Sequence, residues 1–380
     1  MSKRPSTSKH EVRELPVLRN ESGDAIRAVG RGALLSPANR FERIRLENSF
    51  DQVEYDEDFL DAKQRPLTEY FDDDSQTIVS SNESPDVPFR YSMNPYRGCA
   101  HGCAYCYARP THEYLGMSAG LDFESKILVK RRAPELLREF LSQSNWRGES
   151  IMMSGVTDCY QPAERHFQIT RRCLEIASEA GQPMGIITKN ALITRDLDIL
   201  ASMAARKLVH VAISITSLDQ ELTRRLEPRT SCPNARIRAV KQLSDAGVPV
   251  MVMAAPLIPG LTDSEIPAIL EAAADAGACR AGYTLMRLPL SVRPIFLDWL
   301  EQTFPDKRSR IESCVRLVRS GELNDAEFKT RLSGTGVLAD QIRQLFRIMV
   351  KRHGLDGELT PLDSTQFRPL AEPGGQMHLF

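Results

Sequence analysis

From about residue 86 the chain alternates short apolar, β-branched runs with longer amphipathic stretches, and this alternation restricts the fold more than any other feature. The runs fall at 89–93, 151–157, 184–188, 209–216, 248–255 and 281–288. Helical patterns lie between them at 134–142, 163–180, 195–205, 233–246 and 264–276. Gly181, Gly247 and Gly277 close three of these helices, and Pro134 and Pro233 suit first turns. Strands separated by helices need crossover connections, so the sheet is expected to be parallel. Six such units are fewer than the eight of a closed barrel. The expected fold is α/β, an open partial (β/α)6 barrel over residues 86–300. Chemistry in such a fold sits at the C-terminal ends of the strands.

The flanks read differently. Residues 1–85 are expected to form a polar, partly irregular N-terminal extension, and 51–75 alone carries ten acidic residues against two basic ones. Within it, residues 30–41, beginning Gly30-Arg31-Gly32, read as an ordered extended segment packed on the body. Residues 301–380 read as a helical C-terminal extension, with helices at 306–319, 325–332 and 339–353 and a flexible tail.

Composition sets outer limits. Hydrophobic residues make up 42% and charged residues 26%, so a sizeable core is available and wholesale disorder is excluded. Lys and Arg number 49 against 50 Asp and Glu, so any nucleic-acid contact must come from a local patch. No apolar run approaches the ~20 residues that span a bilayer, and residues 1–7 hold no apolar segment of a secretory signal. The expectation is a cytoplasmic protein without membrane contact. Its eight cysteines are then expected to be free, metal-binding or catalytic rather than disulfide-bonded.

Three of those cysteines form a compact group in Asn94-Pro95-Tyr96-Arg97-Gly98-Cys99-Ala100-His101-Gly102-Cys103-Ala104-Tyr105-Cys106-Tyr107. The spacing is C-x3-C-x2-C, just after the first strand. Gly98 and Gly102 allow the tight bends that let Cys99, Cys103 and Cys106 converge. Thiolates favour iron–sulfur clusters or zinc. A [4Fe–4S] cubane normally takes four cysteines, so three would leave one iron open. Two alternatives stand beside this. Zinc needs a fourth ligand, which His101 supplies on composition alone, and three buried structural cysteines need no metal.

A C-x3-C-x2-C triad after the first strand of a partial (β/α)6 barrel, with Tyr105 just before Cys106, resembles the radical S-adenosylmethionine (SAM) superfamily. The resemblance covers about residues 86–290. It implies a [4Fe–4S] cluster on Cys99, Cys103 and Cys106, whose open iron is chelated by S-adenosyl-L-methionine, and reductive cleavage to a 5′-deoxyadenosyl radical. Finer stretches are similar to the bacterial group described as DNA repair photolyases, relatives of spore photoproduct lyase. They are Cys103-Ala104-Tyr105-Cys106-Tyr107-Ala108 with His112-Glu113-Tyr114-Leu115-Gly116, Thr188-Lys189-Asn190 with Arg195-Asp196, Ser214-Ile215-Thr216, and Leu226-Glu227-Pro228-Arg229.

With that resemblance, roles follow for strand-end residues. Tyr105, Ser154, Gly155, Lys189 and Ser214 are expected to bind the cofactor. Ser154 and Gly155 would contact the SAM amino or carboxylate group, Lys189 would pair with the carboxylate, and Ser214 would bond the ribose hydroxyls. Asp158 and Cys159 at the barrel mouth are candidates for substrate contact, Cys159 as hydrogen-atom donor. Cys159 lies a few positions later than the donor cysteine of spore photoproduct lyase, and the alternative for it is a packed thiol. Cys173 reads as core.

Partners are suggested by two further stretches. Arg224, Arg225, Arg229, Arg236, Arg238 and Lys241, with the single acid Glu227, form a basic run that could meet DNA or another nucleic acid, and Lys130-Arg131-Arg132 adds a second. The same run reads equally as a solvated helix face. The last residues, Gln376-Met377-His378-Leu379-Phe380, resemble the short peptide that docks repair proteins on the DNA sliding clamp, through Gln376, Leu379 and Phe380. The radical chemistry implies an electron donor such as a flavodoxin or ferredoxin. The expected function is a radical SAM enzyme, possibly a lyase, acting on nucleic acid in repair. The competing functions are a radical SAM enzyme with a protein or small-molecule substrate, and a non-enzymatic iron–sulfur or zinc scaffold.

Overall fold

The computed structural model describes Gly32 and residues 67–371. The tail residues Gln376, Leu379 and Phe380, and most of the N-terminal extension, lie outside the described residues.

The apolar runs become strands where their alternate side chains meet a common core. Strands β1 (Glu69–Asp72), β2 (Val79–Ser81), β3 (Tyr91–Met93), β4 (Tyr96–Arg97) and β5 (Lys126–Val129) come first. Strands β6 (Ile151–Met153), β7 (Met184–Thr188), β8 (Val209–Ser214), β9 (Val250–Leu257) and β10 (Arg280–Leu285) follow. A seven-stranded sheet runs in the order β10-β9-β8-β7-β6-β3-β2. β3 through β10 in that sheet are all parallel, and β2 adds an antiparallel edge. Six parallel strands in sequence order, left open between β10 and β2, are the partial barrel that the alternation implies.

The crossovers are helical. They are α1 (Ala133–Leu141), α2 (Ile169–Ala180), α3 (Leu197–Ala205), the pair α4 (Gln220–Leu226) and α5 (Pro233–Asp245), and α6 (Ile266–Asp275). Their apolar faces close over the sheet in one large core that includes Ile151, Leu174, Val211, Val252 and Ile269, all at most 1% exposed. After β10 come α7 (Val292–Thr303), α8 (Arg308–Leu317) and α9 (Gly336–Arg352). α9 returns to the sheet, where Phe346 packs its ring 4.6 Å from Tyr283 of β10. The chain then passes under the barrel. There Asp363 N donates to Lys207 O at 2.9 Å, Arg368 N to Ala180 O at 2.8 Å and Leu370 N to Leu141 O at 3.3 Å.

Several boundaries differ from expectation for local reasons. β6 stops at Met153, not 157, because Ser154 takes a left-handed φ of 77°. Gln168, at φ 50°, splits the 163–180 pattern into a turn (Glu164–Phe167) and α2. Residues 325–332 form turns instead of a helix. Lys329 there sits at φ 73°, and Asp86 accepts from Lys329 N at 2.6 Å and pairs with Arg331. No helix among the described residues is long and apolar enough to cross a membrane.

Candidate active site

The C-terminal end of the sheet carries the cysteine loop. β4 leads into it and β5 leads out, and these two pair antiparallel in a small second sheet with β1. Gly98 (φ 74°) and Gly102 (φ 67°) are both left-handed, which turns the loop twice within five residues. Cys99 N donates to Phe123 O at 2.8 Å, and Ala104 N to Leu226 O at 3.0 Å. The Gln161 side chain spans the first bend, accepting from Ala100 N at 2.9 Å and donating to Gly98 O at 3.0 Å. Arg109, fully buried, holds the second bend. Its guanidinium donates to Cys103 O at 2.9 Å and to Gly102 O at 3.2 Å, and pairs with buried Glu124 at 2.8 Å.

Cys99 and Cys103 are buried, Cys106 is half-buried, and all three thiols are free. Burial pushes the Cys99 thiol up to about 12, with the charges of Asp158 and Cys106 adding to it. Burial likewise raises Cys103 well above the usual thiol range, where Glu227, Cys106 and Cys99 raise it further and Lys189 opposes. The three sulfurs are thus electrostatic neighbours. Among the described residues, no three His, Cys, Asp or Glu side chains converge as a group that could hold a single metal ion. In a polynuclear core the thiolates sit on separate irons and need not converge on one point. The donor set fits a [4Fe–4S] cluster with one iron left for another ligand. Binding it must release the thiol protons.

His101 does not stand free as a fourth ligand. Its Nδ1 faces Asp158 Oδ2 at 3.5 Å, and its Nε2 meets Asn190 Nδ2 at 3.2 Å. Asn190 Oδ1 already accepts from Leu192 N and Ser231 Oγ, so the amide nitrogen is the group turned to the ring. His101 Nε2 therefore accepts and Nδ1 carries the proton. Burial lowers this imidazole to about 4, against the pull of Asp158.

The strand ends bring the other expected residues to the same face. Ser154 Oγ accepts from Cys159 N at 2.7 Å, closing the turn after β6. Gly155 O accepts from Tyr107 Oη at 2.7 Å, tying that turn to the residue after Cys106. Asp158 is a clasp. It accepts from Thr188 Oγ1 at 2.7 Å, Lys189 N at 2.8 Å and Tyr160 N at 2.9 Å, besides facing His101. The Lys189 ammonium lies 5.8 Å from the centre of the Tyr105 ring. No carboxylate pairs with it among the described residues. The Ser214 carbonyl accepts from Arg236 at 3.0 Å.

Cys159 follows β6 at the C-terminal end of the sheet, as expected, but its side chain packs inward. It is 0% exposed and sits in the main core, with its thiol raised well above normal by burial. It presents no surface to a substrate at the mouth. Cys173 is core as expected.

Tyr105 points inward, and its hydroxyl bonds Glu227. Glu227 also accepts from Thr216 Oγ1 at 2.6 Å and pairs with Arg236. Burial alone would raise the Glu227 carboxyl, but Arg236 and Lys189 hold it at about 2. Arg236 is therefore a buried structural cation, a correction to its place in the basic run. Most of the remaining run is also neutralised. Arg224 and Arg225 pair with Glu221, and Lys241 with Asp245. Arg131 likewise pairs with Asp72, and Arg132 with Glu139.

Sequence reasoning missed Arg109, Glu124, Gln161 and the rim residues Tyr107 and Arg287. Tyr107 is 51% exposed, and the Arg287 guanidinium lies 5.7 Å from its ring centre. Their adjacency joins residue 107 to the chain beyond β10, a contact that no local spacing announces.

The family model described as Radical SAM superfamily matches residues 93–273, which hold the cysteine loop and four of the six parallel strands, β6 to β9. An uncharacterised protein of Mycobacterium tuberculosis (strain ATCC 25618 / H37Rv) is 39% identical over 234 residues, covering 60% of this chain and 68% of that one. The chain belongs to the radical SAM superfamily. A second relative, an uncharacterised protein of Methanocaldococcus jannaschii, is 28% identical over 217 residues, 57% of this chain and 77% of that one. Among solved structures, spore photoproduct lyase complexed with dinucleoside spore photoproduct aligns with a TM-score of 0.54 at 14% identity, covering 77% of this chain and 80% of that chain. A double mutant of that enzyme with bound AdoMet and the same dinucleoside aligns equally well, at 0.54. At 14% identity this likeness is one of fold. The radical SAM barrel accounts for the parallel order of the sheet and for the site at its C-terminal end.

Proposed function

We propose that this chain is a radical SAM enzyme that holds a [4Fe–4S] cluster on Cys99, Cys103 and Cys106 and acts on a nucleic acid, with repair-like lyase chemistry. The observation that carries the cluster reading is the buried three-thiol loop, clamped by Gln161 and Arg109 at the mouth of the barrel. Held by Cys99, Cys103 and Cys106, such a cluster would supply the single electron that splits the SAM C5′–S bond into methionine and a 5′-deoxyadenosyl radical. The chain's own residues hold and orient the cofactor. The Lys189 ammonium, close enough to Glu227 to lower its carboxyl yet in no salt bridge among the described residues, would take the SAM carboxylate. The turn at Ser154 and Gly155 offers backbone groups to the amino end, and Ser214 lies two strands further along, at the end of β8, for the ribose. Asp158 fixes the β6 and β7 ends against His101, so the two halves of the cofactor site move as one.

The nucleic-acid reading rests on the rim. Tyr107, Val156 and Leu290, which follow the cysteine loop, β6 and β10, are exposed there, and Arg287 has no ion-pair partner among the described residues. An exposed ring beside an unneutralised guanidinium suits a base and its phosphate. The fold likeness to an enzyme solved with a dinucleoside photoproduct supports the same substrate class. Neutralisation of Arg224, Arg225 and Lys241 favours a second reading, a protein or small-molecule substrate. Gln376, Leu379 and Phe380 are proposed as a sliding-clamp peptide, and a flavodoxin or ferredoxin as the reductant.

The deciding experiment is anaerobic reconstitution, reduction with dithionite and assay of 5′-deoxyadenosine, with and without damaged DNA. Wild-type protein is expected to bind about four irons and release the nucleoside, and Cys99→Ala to do neither. A colourless wild-type product would leave only the zinc scaffold in its place, and a coloured one that releases no nucleoside the iron–sulfur scaffold. Titrating purified clamp with a peptide of residues 371–380 tests the tail, and absence of binding below millimolar concentrations would refute it.

A further inference from the structure

Gly32 is buried, and it lies against the cysteine loop. A Cβ built on it would overlap the Gly102 carbonyl oxygen, and would stand 2.9 Å from the Gly102 carbonyl carbon and 3.0 Å from Ala104 N. All three neighbours are backbone atoms, so none can swing aside as a side chain would. The Gly32 amide donates to Glu124 Oε2 at 3.5 Å. The same oxygen takes Arg109 Nη2 at 2.8 Å, and that nitrogen also donates to Gly102 O at 3.2 Å and Cys103 O at 2.9 Å. Gly32 therefore touches both parts of one unit: the bend between Cys99 and Cys103, and the buried ion pair that holds its carbonyls.

We propose that Gly32 is a positioning residue of the cluster site, contributed from far upstream to lock the Gly102 bend against the Arg109–Glu124 pair. The proposal rests on the reading of Cys99, Cys103 and Cys106 as cluster ligands. Only a residue without a side chain brings its backbone this close, and the contact shields the Gly102 carbonyl from water. With that carbonyl fixed, the Cys99 and Cys103 sulfurs keep their spacing before any iron arrives. That is pre-organisation of a ligand set by its supporting shell. Gly32, far upstream of the barrel in sequence, is then a working part of the centre.

The test uses the full-length chain and begins without metal. In Gly32→Ala the unloaded protein is expected to lose protection of Cys99 and Cys103 from a thiol-alkylating reagent, with rates rising about tenfold as the loop opens locally. Far-UV circular dichroism and the thermal midpoint report whether the barrel is intact. After anaerobic reconstitution, iron and sulfide per chain are expected to fall below half of wild type, and the visible absorbance to bleach faster in air. Alkylation within about twofold of wild type in a folded variant would overturn the proposal. If wild type binds no iron while Gly32→Ala still alkylates faster, the cluster reading fails and the positioning contact stands. Should Gly32→Ala fail to fold, amide exchange in unloaded wild type decides. Exchange at residue 32 slowed by about a hundredfold supports the contact, and exchange at the intrinsic rate refutes it.

Discussion

Buried charge is where single residues matter most in this molecule. Glu227 and Arg236 are both at most 1% exposed, and together they anchor Tyr105, Thr216, Ser214 and Thr230. Replacing Glu227 with Gln leaves the guanidinium buried without its counter-charge. The expected loss is about 3 kcal/mol, read from the urea midpoint of the metal-free chain. His112 gives a pH signature. Burial lowers it to about 4 from 6.5, and its Nε2 lies 3.0 Å from Lys126 O. The folded state resists protonation, so this part of the stability is complete above pH 6.5 and is lost as pH falls towards 4. The loss amounts to about 3 kcal/mol. His112→Gln cannot titrate, and denaturant melts of that variant between these pH values should show a shallower decline.

These residues also mark the limit of sequence reading. The charges of Arg224–Lys241 look alike in the sequence, yet Arg236 is interior and Arg238 is exposed. Charge type says nothing of the partner, and Glu227 is nine positions away from Arg236 across a turn. The cysteine triad was legible because Cys99, Cys103 and Cys106 stand within eight positions of the chain. Arg109–Glu124 and Gln161 were not, because a clamp only needs closeness in space.

Elements were read more reliably than their ends. The central parallel strands β6 to β9 follow from runs that are largely apolar on both faces, as a sheet covered by helices requires. Their boundaries depend on single left-handed residues such as Ser154 and Gln168, which no apolar pattern reveals. The segment after α9 was read only as tail. It runs beneath the barrel, where Gln366 Nε2 donates to Arg206 O at 2.6 Å and the backbone satisfies the last carbonyls of α1 and α2. Phe367 is its anchor, 7% exposed and packed on Gly148. Phe367→Ala is expected to cost about 3 kcal/mol in thermal or urea unfolding. Iron content should not change, since this face lies at the other end of the strands.

At the scale of the whole molecule, the near-balance of charge persists locally. Most basic side chains near the mouth are matched by acids, so few remain for phosphates. Binding to a single-stranded oligonucleotide should therefore depend weakly on salt. A log–log slope near −1.5 is expected for roughly two phosphates, measured by fluorescence anisotropy, and Arg287→Ala should flatten it further. A slope near −4, about six phosphates, would place the run 224–241 on the nucleic acid instead.

An open barrel has two outer strands whose peptide groups invite strangers. On β10 that invitation is withdrawn, because Leu355 O receives Ala281 N at 3.0 Å and Asp356 bridges Arg280. On the far side β2 is only three residues long. Self-association along the two edges of the barrel sheet therefore has little to template on, and the barrel can carry a wide mouth without a sticky border.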